Sequence, residues 1–178
     1  EIGANTRKIG DLEKFVGELK DMGFWVVGRI VVMNDAYLYS ARPEWGIPGF
    51  TGGPYSFMDP RNENVWEYNF DIARAAVNAG VDEIQWDYIR YPERLVPGYN
   101  GKDTTAEYRM EPINEFLRRS VEILHPMGAY VSADIFGLTT SVHEGDDMEI
   151  GQDYLSVAQI VDFVSAMVYP SHYAPGTY

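Results

Sequence analysis

The sequence predicts an α/β fold: a partial (β/α)8 barrel with about four parallel strands and flanking helices, read as one domain spanning residues 1–178. Three observations predict it. Amphipathic helices alternate with short apolar strands, usually across a Gly turn. The strands are almost continuously apolar until they end in polar residues, as in a buried parallel sheet. The loops after strands (42–64, 93–105 and 137–152) are long and rich in Gly, Pro and aromatics, whereas those before strands are one or two residues. That asymmetry marks the C-terminal edge of the sheet as the binding side and the other edge as scaffold.

Taken in order, Asp11 suits the N-cap of a helix that buries Leu12, Phe15, Val16, Leu19 and Met22, with Gly23 at its C′ position. The strand Trp25–Met33 follows and ends at Asn34-Asp35. A helix over roughly 65–79, stopped by Gly80, feeds the strand inside Asp82–Pro92. A third helix is expected to begin near Pro112, a favoured first-turn residue, with the stripe Ile113, Phe116, Leu117, Val121 and Leu124. The strand Ala129–Phe136 comes next. A helix over about 153–160 then leads into the strand Val161–Pro170. Consecutive strands should be neighbours in a sheet covered on both faces.

Polar strand ends near Asp35, Asp87, Asp134 and Tyr169 give a repeat of about 35 to 50 residues, while a full barrel usually needs about 250 against the 178 here. The expectation is the middle of a larger barrel, about half of one. Its two long apolar sheet edges would favour self-association unless covered.

Composition narrows the partners. Lys and Arg total 14 against 27 Asp and Glu, a formal charge of −13 that repels phosphate backbones and anionic lipid, so nucleic acid is disfavoured. There is no Cys, which removes disulfides, thiolate metal sites and a Cys nucleophile. No apolar run approaches the roughly 18 residues needed to span a bilayer. Aromatics make up 14 %, enough to fill a core and also to offer flat platforms for sugar rings. Nothing in the residues requires a cofactor or metal.

Two carboxylates stand out. Asp87 and Asp134 each end a separate strand, and each has a polar residue two positions earlier on the same face, Gln85 and Ser132. On adjacent strands the two carboxyls would share one mouth. Such a pair suits glycoside hydrolysis, with one carboxyl protonating the leaving oxygen and the other acting as nucleophile or base. The structural alternative makes them caps or partners of Arg29 and Arg90. Arg29, mid-strand among Val and Ile, reads as a buried partner for a strand-end acid, and Arg90 as a ligand clamp or a brace for Asp87. Asp35 is either a third carboxylate of the site or part of a plain turn. Tyr169, His172 and Tyr173 end the last strand and offer stacking and hydrogen bonds to a sugar.

Other features read as structure. Ser171 and His172 are adjacent on an extended segment, where side chains diverge, so they make no catalytic pair. His125 ends a helix. The acidic run 143–153 lacks the EF-hand order of ligands and reads as a solvated loop with Asp153 as an N-cap. Gly49-Phe50-Thr51-Gly52-Gly53 matches no phosphate loop. Two rivals to a glycosidase remain. One is a catalytically silent carbohydrate-binding barrel; the other is a metal-dependent hydrolase or deacetylase, for which one well-placed His is thin support.

Six segments carry a resemblance: Gly28-Arg29-Ile30-Val31-Val32, Val65-Trp66-Glu67-Tyr68-Asn69, the whole run from Asp82 to Pro92, Val131 to Gly137, Gly151-Gln152, and Met167 to Tyr173. In these motifs and their order the chain resembles a bacterial family of TIM-barrel glycoside hydrolases once known only as a domain of unknown function. The resemblance implies a barrel of which this chain forms strands three to six, a carbohydrate substrate, and an extracellular or surface-attached setting.

Overall fold

The structure, a computed structural model, describes residues 10–48, 56–93 and 105–169. Four parallel strands form one sheet in the order β1 (Val27–Val31), β2 (Glu83–Asp87), β3 (Tyr130–Phe136) and β4 (Phe163–Met167). Each connection carries helix: α2 (Ala36–Ala41) and α3 (Glu63–Asn78) between β1 and β2, α4 (Ala106–Leu124) before β3, and α5 (Tyr154–Ala158) before β4. A first helix, α1 (Leu12–Asp21), precedes β1. Every expected strand is present and every neighbour relation holds.

The helix signals act as their chemistry requires. Asp11 caps α1 by accepting the Lys14 amide at 3.0 Å, and Gly23 turns the chain at φ 83°. Gly80 closes α3 at φ 101°. The start of α4 differs from expectation. Thr105 caps it through the Tyr108 amide, so Pro112 lies inside the helix, seven positions into it. Pro112 has no N–H to give the carbonyl of Tyr108 four residues earlier. Arg61 fills the gap, donating from Nη1 to that carbonyl at 2.7 Å. An outside donor thus removes much of the usual objection to a mid-helix proline.

Period-two alternation divides the sheet into two faces. Ile84, Trp86, Val131, Ala133 and Ile135 are fully buried beneath α3 and α4. Trp86 is the centre of this layer. It meets Phe70 and Phe116 edge-on with centroids at 6.2 and 5.0 Å, and its indole donates to Ser120 Oγ at 3.1 Å. Truncating a buried ring of this size to Ala costs about 3–5 kcal/mol.

The opposite face carries Arg29, Glu83, Gln85, Asp87, Ser132, Asp134 and Ser165. Here the expectation of a sheet covered on both sides is corrected. Among the described residues Val27, Tyr130 and Phe163 remain exposed on this face, with the Trp25 ring tilted against Tyr130 at a centroid distance of 5.3 Å. This is the inward face of a partial barrel wall, and the described helices α3 and α4 pack on its outer side.

Candidate functional site

The site sits at the C-terminal ends of β2 and β3. The parallel register pairs Trp86 with Ala133, which sets Asp87 and Asp134 level with each other on the inward face. Across β4, Asp134 is level with Ser165. Both carboxylates contact a single guanidinium. Arg29 Nη2 binds Asp87 Oδ2, and Arg29 Nε lies 3.5 Å from Asp134 Oδ2. Sharing one planar cation keeps the two carboxyls inside the outer limit of roughly 9.5 Å for paired glycosidase carboxylates.

Burial is unequal within this triad. The carboxylate side chains are 2 % and 10 % exposed and that of Arg29 is 54 % exposed. Arg29 was expected to be buried. It projects instead from the open face of the sheet, and its head group lies against the carboxylates. Asp87 is further satisfied by the Tyr88 amide at 2.7 Å. Asp134 has a carboxyl held above the usual range. Burial is the main cause, the Glu83 charge adds to it, and Arg29 offsets part of it.

Polar neighbours extend the network toward the middle of the sheet. Gln85 donates to Ser165 Oγ at 3.1 Å. Glu83 accepts from Ser132 Oγ at 2.5 Å and from Trp25 Nε1 at 3.0 Å. Glu83 and Ser165 escaped the sequence reading, although Glu83 shares the parity of Gln85 and Asp87.

Tyr88 breaks the alternation. Its φ of 51° places a bulky residue in the left-handed region, directly after Asp87. The strand therefore ends, and Arg90 does not follow the face of Asp87. Its guanidinium lies 5.1 Å from the Tyr88 ring and 5.6 Å from the Phe57 ring, and it donates to the Tyr91 carbonyl at 3.0 Å. The expectation that Arg90 braces Asp87 is corrected, because Arg29 does so.

Asp35 has structural partners. One oxygen caps α2 through the Tyr37 and Leu38 amides, each at 2.9 Å. The Tyr68 hydroxyl also binds it. Burial, then the charge and hydrogen bond of Asp35, push that hydroxyl up to about 12. Tyr169 is exposed just beyond β4. His172 and Tyr173 lie outside the described residues.

The acidic loop after β3 is solvated over residues 143–146, as read, but Asp147 and residues 150–153 are buried. Asp147 receives Arg109 Nε at 2.6 Å and Nη2 at 2.7 Å, together with the Gly151 amide at 2.9 Å. The early start of α4 is what supplies Arg109. Burial raises the Asp147 pKa, but Arg109 and the loop amides outweigh it and hold the carboxyl below its ordinary range. Asp153 caps α5 through the Ser156 amide at 2.9 Å, as its position suggested.

This clasp delivers Gln152. Its Oε1 accepts the Phe136 amide at 2.8 Å, and its Nε2 donates to the carbonyls of Ile89 at 3.1 Å and Asp134 at 3.2 Å. One buried amide therefore ties the exit of β2 to the exit of β3, directly behind the two carboxylates. Gly151 must be glycine, since a Cβ there would stand 2.8 Å from the Arg109 carbonyl and φ is 81°. Among the described residues no three His, Asp or Glu side chains converge as a metal ligand set.

Comparison with known proteins agrees with the fold. A hypothetical protein from Ruminiclostridium thermocellum is 36 % identical, with TM-score 0.61 over 75 % of this chain and 70 % of its own. The Bacillus subtilis protein ydhD, described as a "putative sporulation-specific glycosylase", shares 12 % identity and TM-score 0.59, covering 97 % of this chain and 47 % of its own. The glycoside hydrolase domain of PelA from Pseudomonas aeruginosa, as the E218A variant, gives 12 %, TM-score 0.58, and 85 % and 54 %. The last two likenesses establish fold alone, and the chain spans about half the length of either protein. No curated protein matches. The profile of the family described as "Putative glycosyl hydrolase domain" matches residues 1–178, and the chain belongs to that family.

Proposed function

We propose that this chain supplies the carboxylate pair of a glycoside hydrolase acting on an oligo- or polysaccharide outside the cell or at its surface. The observation that carries the reading is the shared register level of Asp87 and Asp134, with one guanidinium between them. Asp134 is the general acid. Burial keeps its proton to higher pH than an ordinary Asp would hold it, as an acid that must protonate a glycosidic oxygen requires. Asp87 is the nucleophile or base. Arg29 compensates its charge at rest and swings aside or exchanges partners as substrate enters. Gln85 and Tyr169 contribute hydrogen bonding and stacking to the sugar.

Replacing Asp87 or Asp134 by Asn in the full-length protein should cost about 10²–10⁴ in turnover on its true polysaccharide, found by screening a substrate panel. Unchanged turnover in both variants would overturn the assignment.

A further inference from the structure

The C-terminal rim of the sheet holds a cavity of about 250 Å³ lined by Arg90, Glu93, Phe136, Met148 and Ile150. Phe136 lies two residues beyond Asp134 and Arg90 three beyond Asp87, so the cavity opens at the same edge as the proposed site. It is smaller than the roughly 300–1,000 Å³ pockets that take drug-sized ligands, which suits one sugar ring or its substituent.

Arg90 is chemically unusual here. Among the described arginines, Arg29, Arg61, Arg74, Arg109, Arg118 and Arg119 all have a carboxylate within 4.0 Å. Arg42 and Arg90 have none among the described residues, and Arg42 is exposed. Arg90 is partly buried, and burial lowers its pKa. The Phe57 and Tyr88 faces flank its guanidinium, and one donor is spent on the Tyr91 carbonyl. The other donors of its fork are available for a planar anion.

The far wall of the cavity is fixed in advance. Met148 and Glu149 sit in the left-handed region at φ 51° and 61°, and the buried Arg109–Asp147 pair holds that strained turn through the Glu149 and Gly151 amides. Strain maintained by a buried ion pair at the edge of a cavity is what preorganised recognition requires.

We infer that this cavity is a subsite for a sugar bearing a carboxylate, which Arg90 receives in its guanidinium fork. Glu93 stands in the same cavity and opposes an anion at longer range, so a singly charged planar carboxylate is favoured over a phosphate. The inference rests on the proposed hydrolase site and names its substrate class.

The test uses the full-length protein carrying Asp87→Asn and Asp134→Asn, which separates binding from turnover. Calorimetric titrations with D-glucuronate and N-acetylmuramate are compared with those of their neutral counterparts, D-glucose and N-acetylglucosamine. Each acid probes a different source of the carboxylate, and at least one should bind about tenfold more tightly than its neutral counterpart. Adding Arg90→Met should erase that gap, Glu93→Gln should widen it, and raised salt should narrow it. Should Arg90→Met fail to fold, the Glu93→Gln and salt results decide. Acids that bind no better than their neutral counterparts, or a gap that survives Arg90→Met, would overturn the subsite. The hydrolase reading fails separately, through unchanged turnover in the single Asp variants.

Discussion

The two rims of the sheet use aspartate in opposite ways. At the N-terminal rim one device occurs twice. Asp82 accepts the Val26 amide at 3.0 Å and Lys20 Nζ at 2.6 Å. Asp162 accepts the Val131 amide at 2.8 Å and lies 2.9 Å from His125 Nε2. Each time, an acid ahead of one strand pins the start of the preceding strand to the end of the helix before it. At the C-terminal rim no such device repeats among the described residues. Asp87 and Asp134 share Arg29, Asp147 grips Arg109, and Gln152 joins two strand exits. Repetition from unit to unit marks scaffold, while singular contacts mark the place where the units were made to differ, as expected for a sheet whose C-terminal edge carries the chemistry.

The strongest way to break this contrast is to open the singular rim at its buried pair. Arg109→Met leaves Asp147 buried and uncompensated, and should cost about 3–5 kcal/mol in urea unfolding. It should also depress turnover, because Gln152 loses its anchor. Acid should do the same more gently. The folded Asp147 pKa lies below its unfolded value, so its contribution is present above the unfolded value and is lost as pH falls through the folded one. Arg109→Met should remove that part of the acid sensitivity.

A sharper cut is Gln152→Leu, which strands the Phe136 amide and the Ile89 and Asp134 carbonyls. About 1–3 kcal/mol of stability should be lost. Turnover should fall more than KM rises, because the carboxylates shift relative to each other. Equal effects on kcat and on the stability of a distant site would make Gln152 ordinary packing. At the repeating rim, Asp82→Ala and Asp162→Ala should each cost about 1 kcal/mol with kcat unchanged. A kcat effect there would erase the distinction. The smallest effect concerns Glu83→Gln. Removing a like charge should let Asp134 lose its proton earlier, moving the alkaline limb of the pH–rate profile to lower pH.

Much of this architecture is legible in local chemistry. Asp11, Gly23, Gly80 and Asp153 take the positions their side chains and φ preferences suggest, and the strands pair in sequence order. The level placement of Asp87 and Asp134 follows from alternation and register alone. Three things were hidden. Pro112 signals a helix start in sequence, yet Arg61 from a distant turn makes a mid-helix proline tolerable. Tyr88 carries no mark of a left-handed backbone, and its φ decides that Arg90 leaves the face of Asp87. Gln152 follows a glycine in an acidic loop, and only tertiary contact makes it the bracket between β2 and β3.

The proline in α4 has a further meaning for how the outer layer is joined. Because Pro112 has no N–H to give the Tyr108 carbonyl, that oxygen serves as a socket, and the turn before α3 plugs in through Arg61, which also stacks 4.1 Å over the Tyr108 ring and reaches Glu111 at 2.7 Å. Pro112→Ala would heal the helix and close the socket at once. A gain in local helicity would then loosen the seam between neighbouring helices, so the improved segment would make a poorer wall.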